Sequence, residues 1–326
     1  MRLLIGLGAG AAVLAAALAG AAFYATKAYD EPGPLAAERA VVVPHGGLGE
    51  IAATLKAQGV IRAPWQFEAA AVATRGSGAL RAAEYQFPPA ASLHQVLVVL
   101  RTGKPVQHKL TIAEGLTAVQ VVALVSRADA LDGPTPAIAE GSVLPETYVY
   151  ERGTARTALV GRATRAMDAE LASAWSTRSP DLPLATPRDA LILASIVERE
   201  TAKPDERKLV ASVYLNRLRR GMKLQSDPTV VYGASNGAGV LDHGLTRAEL
   251  DADDPYNSYR YPGLPPGPIC MPGRASIEAA THPADSTDLF FVADGTGGHS
   301  FAKTEQEHAR NVQRWRAAER ARHPNP

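Results

Sequence analysis

The sequence has one cysteine, Cys270, in 326 residues. No intramolecular disulfide can form and no Cys-rich zinc site is available, so stability must come from packing. Excess charge is also missing: 34 Lys and Arg face 33 Asp and Glu, a formal net charge of +1. Such a balance argues against a broad phosphate-binding surface, and no nucleic-acid partner is expected. His243, His282, His299 and His308 show neither His-x-His nor His-Glu-x-x-His spacing, so no metal site is expected. What the chain does have is 46% hydrophobic residues with 21% charged ones. That composition excludes a disordered polymer, and the length can bury a core in two or more domains. The 24 prolines and 28 glycines cluster at junctions, where they punctuate folded segments.

Leu3 to Ala25 carries no charge. At 1.5 Å per residue it would make a helix of roughly 34 Å, enough for about 30 Å of hydrocarbon. Arg2 and the amino terminus precede it, whereas Lys27, Asp30 and Glu31 follow, a bias that favours a cytoplasmic start with the remainder outside. Ala17-Leu18-Ala19 and the small residues after it offer an alternative, a cleaved signal peptide. The apolar run exceeds a signal h-region, so the anchor is preferred, and both readings export the rest of the chain.

The expected organisation is α+β: an anchor over 1–29, a Pro/Gly-containing linker over 30–39, a small α+β module over 40–130 and a mixed helical and β-hairpin domain over 131–326. In the module, Val41 to Val43 and Tyr85 to Phe87 read as strands, while Ile51, Leu55 and Val60, then Ser92 to Leu100, read as helices. The second domain should hold helices over Ala155 to Trp175, from Thr186-Pro187 to Pro204, and over Asp205 to Arg220. A glycine-rich hairpin follows at 289–301, and the capping box Thr304-x-x-Glu307 opens a last helix.

On the helix from Pro187, Glu198 and Glu200 lie about 200° apart, so one cleft cannot receive both. Three, four and seven positions before Glu200 stand Val197, Ile196 and Leu193, whereas Glu198 is preceded by Ser195, Ala194 and Leu191. Glu200 therefore ends the more apolar stripe, where partial desolvation raises a carboxyl pKa toward the range of a general acid at neutral pH. For an isolated Glu, pairing with Lys203 one turn on is the favoured reading, and spacing alone does not carry the catalytic one. Gly233-Ala234-Ser235-Asn236-Gly237 matches the nucleophile elbow after the β-branched run Thr229 to Tyr232, but Gly237-Ala238-Gly239 prolongs a loop where a helix is required. A surface turn is expected. Tyr256, Tyr259 and Tyr261 around Asn257, followed by Pro262-Gly263-Leu264-Pro265-Pro266-Gly267, form a stiff aromatic loop that suits sugar rings or packs on the domain surface.

Several of these segments together resemble one family. Ala194-Ser195-Ile196-Val197-Glu198-Arg199-Glu200-Thr201, Val210-Ala211-Ser212-Val213-Tyr214-Leu215-Asn216-Arg217-Leu218 and Leu224-Gln225-Ser226-Asp227-Pro228-Thr229-Val230-Val231-Tyr232-Gly233 are similar to the endolytic murein transglycosylases of the MltG (YceG-like) type. So are Tyr256-Asn257-Ser258-Tyr259, Gly263-Leu264-Pro265-Pro266-Gly267-Pro268-Ile269, His282-Pro283 and Phe291 to Phe301, in one order across about residues 40–316. Leu144-Pro145-Glu146-Thr147-Tyr148 stands where the family has Pro-Asp-Thr-Tyr, an Asp to Glu departure.

The resemblance implies a LysM-like amino-terminal module and a lytic-transglycosylase-type catalytic domain. It implies a single-pass enzyme of the cell inner membrane, with its catalytic part in the periplasm, that cuts nascent glycan strands between N-acetylmuramic acid and N-acetylglucosamine. Its partners would be peptidoglycan strands, the membrane and peptidoglycan synthases, and no cofactor is implied. The family's catalytic glutamate falls on Glu200. Gln225, Asp227, Thr229, Asn257, Tyr259 and His299 are the candidates for holding sugar. The alternatives are a lysozyme-type hydrolase giving reducing ends and a non-catalytic peptidoglycan-binding scaffold.

Overall fold

The computed structural model describes the backbone of residues 2–322 and the side chains of residues 12–322. Met1, the Arg2 side chain on which the orientation reading depends, and residues 323–326 lie outside the described residues. The chain divides into two compact units, residues 1–108 with 150–153, and residues 109–149 with 154–326. Residues 109–130, which the sequence reading joins to the first module, thus fall in the second unit.

In the first unit, α1 (Arg2–Asp30) is a continuous helix, and its stretch Ala12–Asp30 is long and apolar enough to cross a membrane, with none of that stretch buried by the protein. After it come β1 (Arg39–Val43), α2 (Leu48–Ala57), α3 (Pro64–Ala73), β2 (Ala83–Phe87) and α4 (Leu93–Thr102). β1 and β2 pair antiparallel with Val41 opposite Tyr85. Alternation buries Val41 and Val43 on one face, and they pack with Leu55, Phe67, Phe87, Val96 and Leu100 in a core of their own. Ser92 starts α4 with a reciprocal capping box to Gln95. α3 has no counterpart in the sequence reading: Pro64 at its first turn is a start signal, but its apolar residues run all round and show no stripe.

The stretch between α1 and β1, expected as a tether, is fastened to this unit. Arg62 Nη2 donates to Pro32 O at 2.9 Å, Gly33 N to Ala90 O at 3.0 Å and Ala90 N to Leu35 O at 2.7 Å, and the Leu35 side chain is buried. A methyl group at Gly33 would overlap the Ala91 carbonyl oxygen, and backbone cannot step aside as a side chain can. Gly33→Ala should therefore destabilise the first unit by about 1–3 kcal/mol, read as a lowered thermal midpoint.

The next elements are β3 (Gln107–Thr111), α5 (Ala118–Ser126), β4 (Leu131–Asp132), β5 (Thr147–Glu151) and β6 (Thr154–Ala155), with β3 pairing β5 and β4 pairing β6. α6 (Arg156–Ser176), α7 (Pro187–Glu200), α8 (Arg207–Arg219), α9 (Asp227–Ala234), the single turn α10 (Arg247–Leu250) and α11 (Arg274–Thr281) follow. The hairpin β7 (Phe290–Ala293) and β8 (His299–Ala302) and the final α12 (Glu305–Arg322) close the chain.

α7 is the central helix of the second unit. Thr186 caps it by accepting from Asp189 N at 3.2 Å while Asp189 accepts from Thr186 N at 3.0 Å, and Pro187 fits the first turn because its missing N–H is not needed there. Ala190 to Val197 are all buried, so neighbours surround this segment: α6, α8, α9 and α11 pack on it. Ile192, Leu193, Ile196, Val210, Tyr214, Leu215, Ile269 and Ile277 belong to one core, each large aliphatic side chain contributing about 1.5–3 kcal/mol on burial. Among them Ser195 acts as a clamp. It donates to Ile192 O at 2.7 Å and accepts from Ile269 N at 3.0 Å, tying the 268–272 segment to α7.

The β-branched run Thr229 to Tyr232 is helical in α9, because Pro228 in its first turn and burial of Thr229 and Val230 outweigh a weak local preference. Ser235 caps the C-terminal end of α9, donating to Tyr232 O at 3.2 Å and accepting from Gly239 N at 2.8 Å, so its hydroxyl is committed to the turn.

Candidate active site

Glu200 is the last residue of α7 and is half-buried. Thr201 leaves the helix in extended conformation, so the chain turns away directly beyond the carboxyl group. Ser226, itself buried, donates from Oγ to Glu200 Oε2 at 3.0 Å. The Tyr214 hydroxyl from α8 faces Glu200 and Ser226 but makes no hydrogen bond of good geometry with either.

The segment carrying Ser226 is fixed on two sides. Ser258 Oγ accepts from Ser226 N at 2.9 Å and lies 2.8 Å from Thr229 Oγ1, while Gln225 N donates to Ser258 O at 3.1 Å. Gln225 is held at φ 53°, in the left-handed region that a side chain resists, and this local strain aims the next residue at Glu200. Asn257 secures the facing loop: its Nδ2 donates to the carbonyls of Leu250 at 3.0 Å and Ala252 at 2.9 Å, and its Oδ1 accepts from Tyr259 N at 3.0 Å. Tyr259 in turn donates from its hydroxyl to Asp227 Oδ1 at 2.5 Å.

Electrostatics follows from this packing. Burial pushes the Glu200 carboxyl up to about 7, with the Asp227 charge adding to the rise and the hydrogen bond from Ser226, the nearby Tyr214 hydroxyl and the His299 charge opposing it. Its position at a helix C-terminus, where an anion meets the negative end of the dipole, acts in the same direction as burial. Glu200 is thus near half-protonated at neutral pH. Burial, then the charge on Glu200, pushes the Tyr214 phenol well above its ordinary range, so it remains a donor throughout. The Tyr259 phenol is raised by burial and by its bond to Asp227.

Glu198 faces elsewhere, as the helical count requires. Its Oε2 accepts from Gly273 N at 2.9 Å and its Oε1 lies 3.5 Å from Arg207 Nη2, so this carboxylate joins α7 to the start of α11 and to α8. Lys203 does not pair with Glu200; it lies 4.0 Å from Glu206. Glu206 holds His299 instead, accepting from His299 N at 3.0 Å and lying 2.7 Å from its Nδ1. Burial alone would raise the Glu206 carboxyl, but these hydrogen bonds outweigh it and hold it below the usual range.

The sequence-derived candidates therefore separate. Asp227 and His299 act on Glu200 through their charge, and Tyr259 reaches it through Asp227. Gln225 is exposed next to Ser226. Thr229 and Asn257 are buried at 0% and 1% exposure with their polar atoms occupied by the protein, and they support the loops from within. Glu146 forms a hydrogen-bonded ion pair with Arg274 at 2.6 Å, a contact that accommodates the extra methylene over Asp. Ser226, Tyr214, Ser258 and Glu206 were missed as site residues. Ser226 stood inside a recognised segment, and Tyr214 on the inward stripe of its helix reads as core until its hydroxyl is asked for a partner.

This arrangement can hand over a proton and take one back at a single atom pair, because the carboxyl titrates near 7 and Ser226 fixes which lone pairs remain free. Removing the serine removes a bond that favours the charged form. Ser226→Ala should therefore move the alkaline limb of the pH–rate profile upward and lower turnover by roughly tenfold, the cost of about one hydrogen bond to a charged group. A pH–rate series on the two proteins checks this.

The sequence model of the YceG-like family matches residues 41–314. An endolytic murein transglycosylase of Streptococcus pneumoniae is 38% identical over 180 residues, covering 53% of this chain and 31% of that protein. One of Bacillus subtilis is 42% identical over 118 residues, covering 36% and 32%. The matched stretch thus spans about a third of the length of these curated relatives. A crystal structure of a YceG-like protein from Listeria monocytogenes superposes with a TM-score of 0.52 at 29% identity, covering 84% of this chain and 98% of that one. With most of its length inside the family's sequence model, the chain belongs to the YceG-like family.

Proposed function

We propose that this protein is an endolytic peptidoglycan lytic transglycosylase. It cleaves the β-1,4 bond between N-acetylmuramic acid and N-acetylglucosamine inside nascent glycan strands, leaves 1,6-anhydro ends and so terminates strand elongation. The observation that carries this reading is the half-buried Glu200 carboxyl, pushed up to about 7 and held by Ser226 at 3.0 Å. The names of the relatives support the substrate class.

Protonated Glu200 gives its proton to the glycosidic oxygen as the C1–O bond breaks through an oxocarbenium-like state. The resulting carboxylate takes the proton of the muramic acid C6 hydroxyl as O6 attacks C1. The glutamic acid is restored and no water is consumed. Glycosidases that use water or a covalent intermediate need two carboxylates. An intramolecular hydroxyl, with an effective concentration of about 10⁵ M or more, needs no second base to deliver it. One acid is then enough, in keeping with Glu198 being committed to Gly273 and Arg207.

The βααβ order of the first unit supports a LysM-like glycan-gripping role, and α1 supports a single-pass anchor in the inner membrane with the chain beyond it in the periplasm, beside the synthases that make the strands. One observation favours a second reading: Asp227, whose charge acts on Glu200, is exposed and could serve a water as base in a lysozyme-type hydrolase. Mass spectrometry of the products separates the two. Anhydro ends support the transglycosylase, reducing ends the hydrolase, and intact strands a non-catalytic scaffold.

A further inference from the structure

The first unit leaves an apolar face open where a globular module would normally cover one. α3 has a single charged residue, Glu68, and that side chain leans toward Gly49 of α2. Phe67 and Ala71 fill the core, yet on the other side Trp65 and Val72 are 60% and 57% exposed. They stand seven residues apart, two turns on one face, with Ala69 exposed between them. A short helix apolar on every side is expected to be covered on every side.

The position of this face says what covers it. Tyr24, Tyr29, Trp65, Gln66, Ala69 and Leu93 line a cavity of about 330 Å³ between the last turns of α1 and the length of α3. Gln66 Nε2 donates to the Tyr24 hydroxyl at 3.3 Å, and Tyr29 stacks on His94 with ring centroids 5.0 Å apart, so α1 continues into the module without a free joint. On the reading of α1 as an anchor, about 20 residues fill the hydrocarbon. A span opening at Leu3 is then used up at Phe23, and Tyr24 stands at the rim. Gln66, next to Trp65, donates to the Tyr24 hydroxyl, which brings the start of α3 to the level of Tyr24. Trp and Tyr are the side chains that settle at headgroup level, with an apolar ring and one polar atom each.

We infer that α3 lies on the outer surface of the bilayer that α1 enters, with Trp65 and Tyr24 in the headgroup layer and Ala69 and Val72 against the acyl boundary. The partner of this face is the lipid itself. The first unit is then held at two points, by a spanning helix and by a surface helix, which fixes its height above the membrane.

The inference rests on the anchor reading, and the test keeps the two apart. The full-length protein is reconstituted in phosphatidylcholine–phosphatidylglycerol vesicles with and without acyl-brominated lipid. The Trp65 signal is obtained by subtracting the emission of Trp65→Phe, a variant at an exposed position that leaves the core intact. Bromination should quench the Trp65 signal at least twofold while aqueous iodide leaves it nearly unchanged. A signal quenched by iodide and indifferent to bromination would overturn the inference if the protein still resists alkaline carbonate extraction. Shielding from both quenchers would place a protein partner or a second copy on the face and overturn it equally. Release of the protein by carbonate would overturn the anchor reading and this inference together.

Discussion

Glu200→Gln is expected to abolish release of 1,6-anhydro-ended fragments from glycan strands, a loss of about 10²–10⁴-fold in turnover, while the protein folds and fractionates with membranes as before. The amide keeps the shape of the side chain and can still meet Ser226 Oγ, but it neither donates an acidic proton to the leaving oxygen nor accepts one from the C6 hydroxyl. Both halves of the reaction fail together. Asp227 stands exposed, outside the desolvated surroundings of Glu200, with its Oδ1 taking the Tyr259 hydroxyl at 2.5 Å. Mass spectrometry of strands incubated with each protein measures the loss, and normal anhydro product from the variant would remove Glu200 from the chemistry.

The same substitution should raise stability, in one direction of pH only. The Glu200 carboxyl is raised from 4.5 in the unfolded chain to about 7 in the folded one, chiefly by burial. Between these values the folded protein binds more protons than the unfolded one, so stability falls as pH rises through that window. Below about 4.5 the neutral acid is present in both states and costs nothing. Above about 7 the folded state carries an anion in a desolvated place. The penalty is about 3 kcal/mol, because a tenfold change in proton affinity is worth about 1.36 kcal/mol. Gln cannot ionise and escapes it. Glu200→Gln should thus match the parent in thermal unfolding at about pH 4 and exceed it at about pH 8 by several degrees. A variant that is less stable than the parent under the alkaline condition would contradict the desolvation argument.

A site that stabilises the protein when dismantled is one where packing has been set against solvation for the sake of chemistry. That conflict was already visible in the sequence. Val197, Ile196 and Leu193 lead along one face of α7 to an acid, and the structure places that acid in half-buried surroundings, with Glu198 turned to Arg207 and Gly273. The capping signals at Thr186 and Thr304 marked two helix starts because they depend on neighbours three residues away.

What could not be seen depends on distant partners. Ser226 meets Glu200 across 26 residues and Glu206 meets His299 across 93, and no local pattern records such pairings. Thr229 and Asn257 were candidates for holding sugar by their places in the family's motifs, but burial decides what a polar side chain can reach, and both point inward. α3 was silent for a related reason: a helix with no polar face has no periodicity to detect, and it makes sense only beside the helix that precedes it in space.

Everything proposed for the chemistry stands on the protonation state of one side chain at working pH. Selective ¹³C labelling of glutamate, with the Glu200 carboxyl resonance assigned by its absence in Glu200→Gln, gives its titration directly. The expected midpoint is about 7 in the protein without substrate. A midpoint in the ordinary range, about 4.3, would leave the carboxyl ionised at neutral pH, without a proton to give, and would contradict the proposed mechanism.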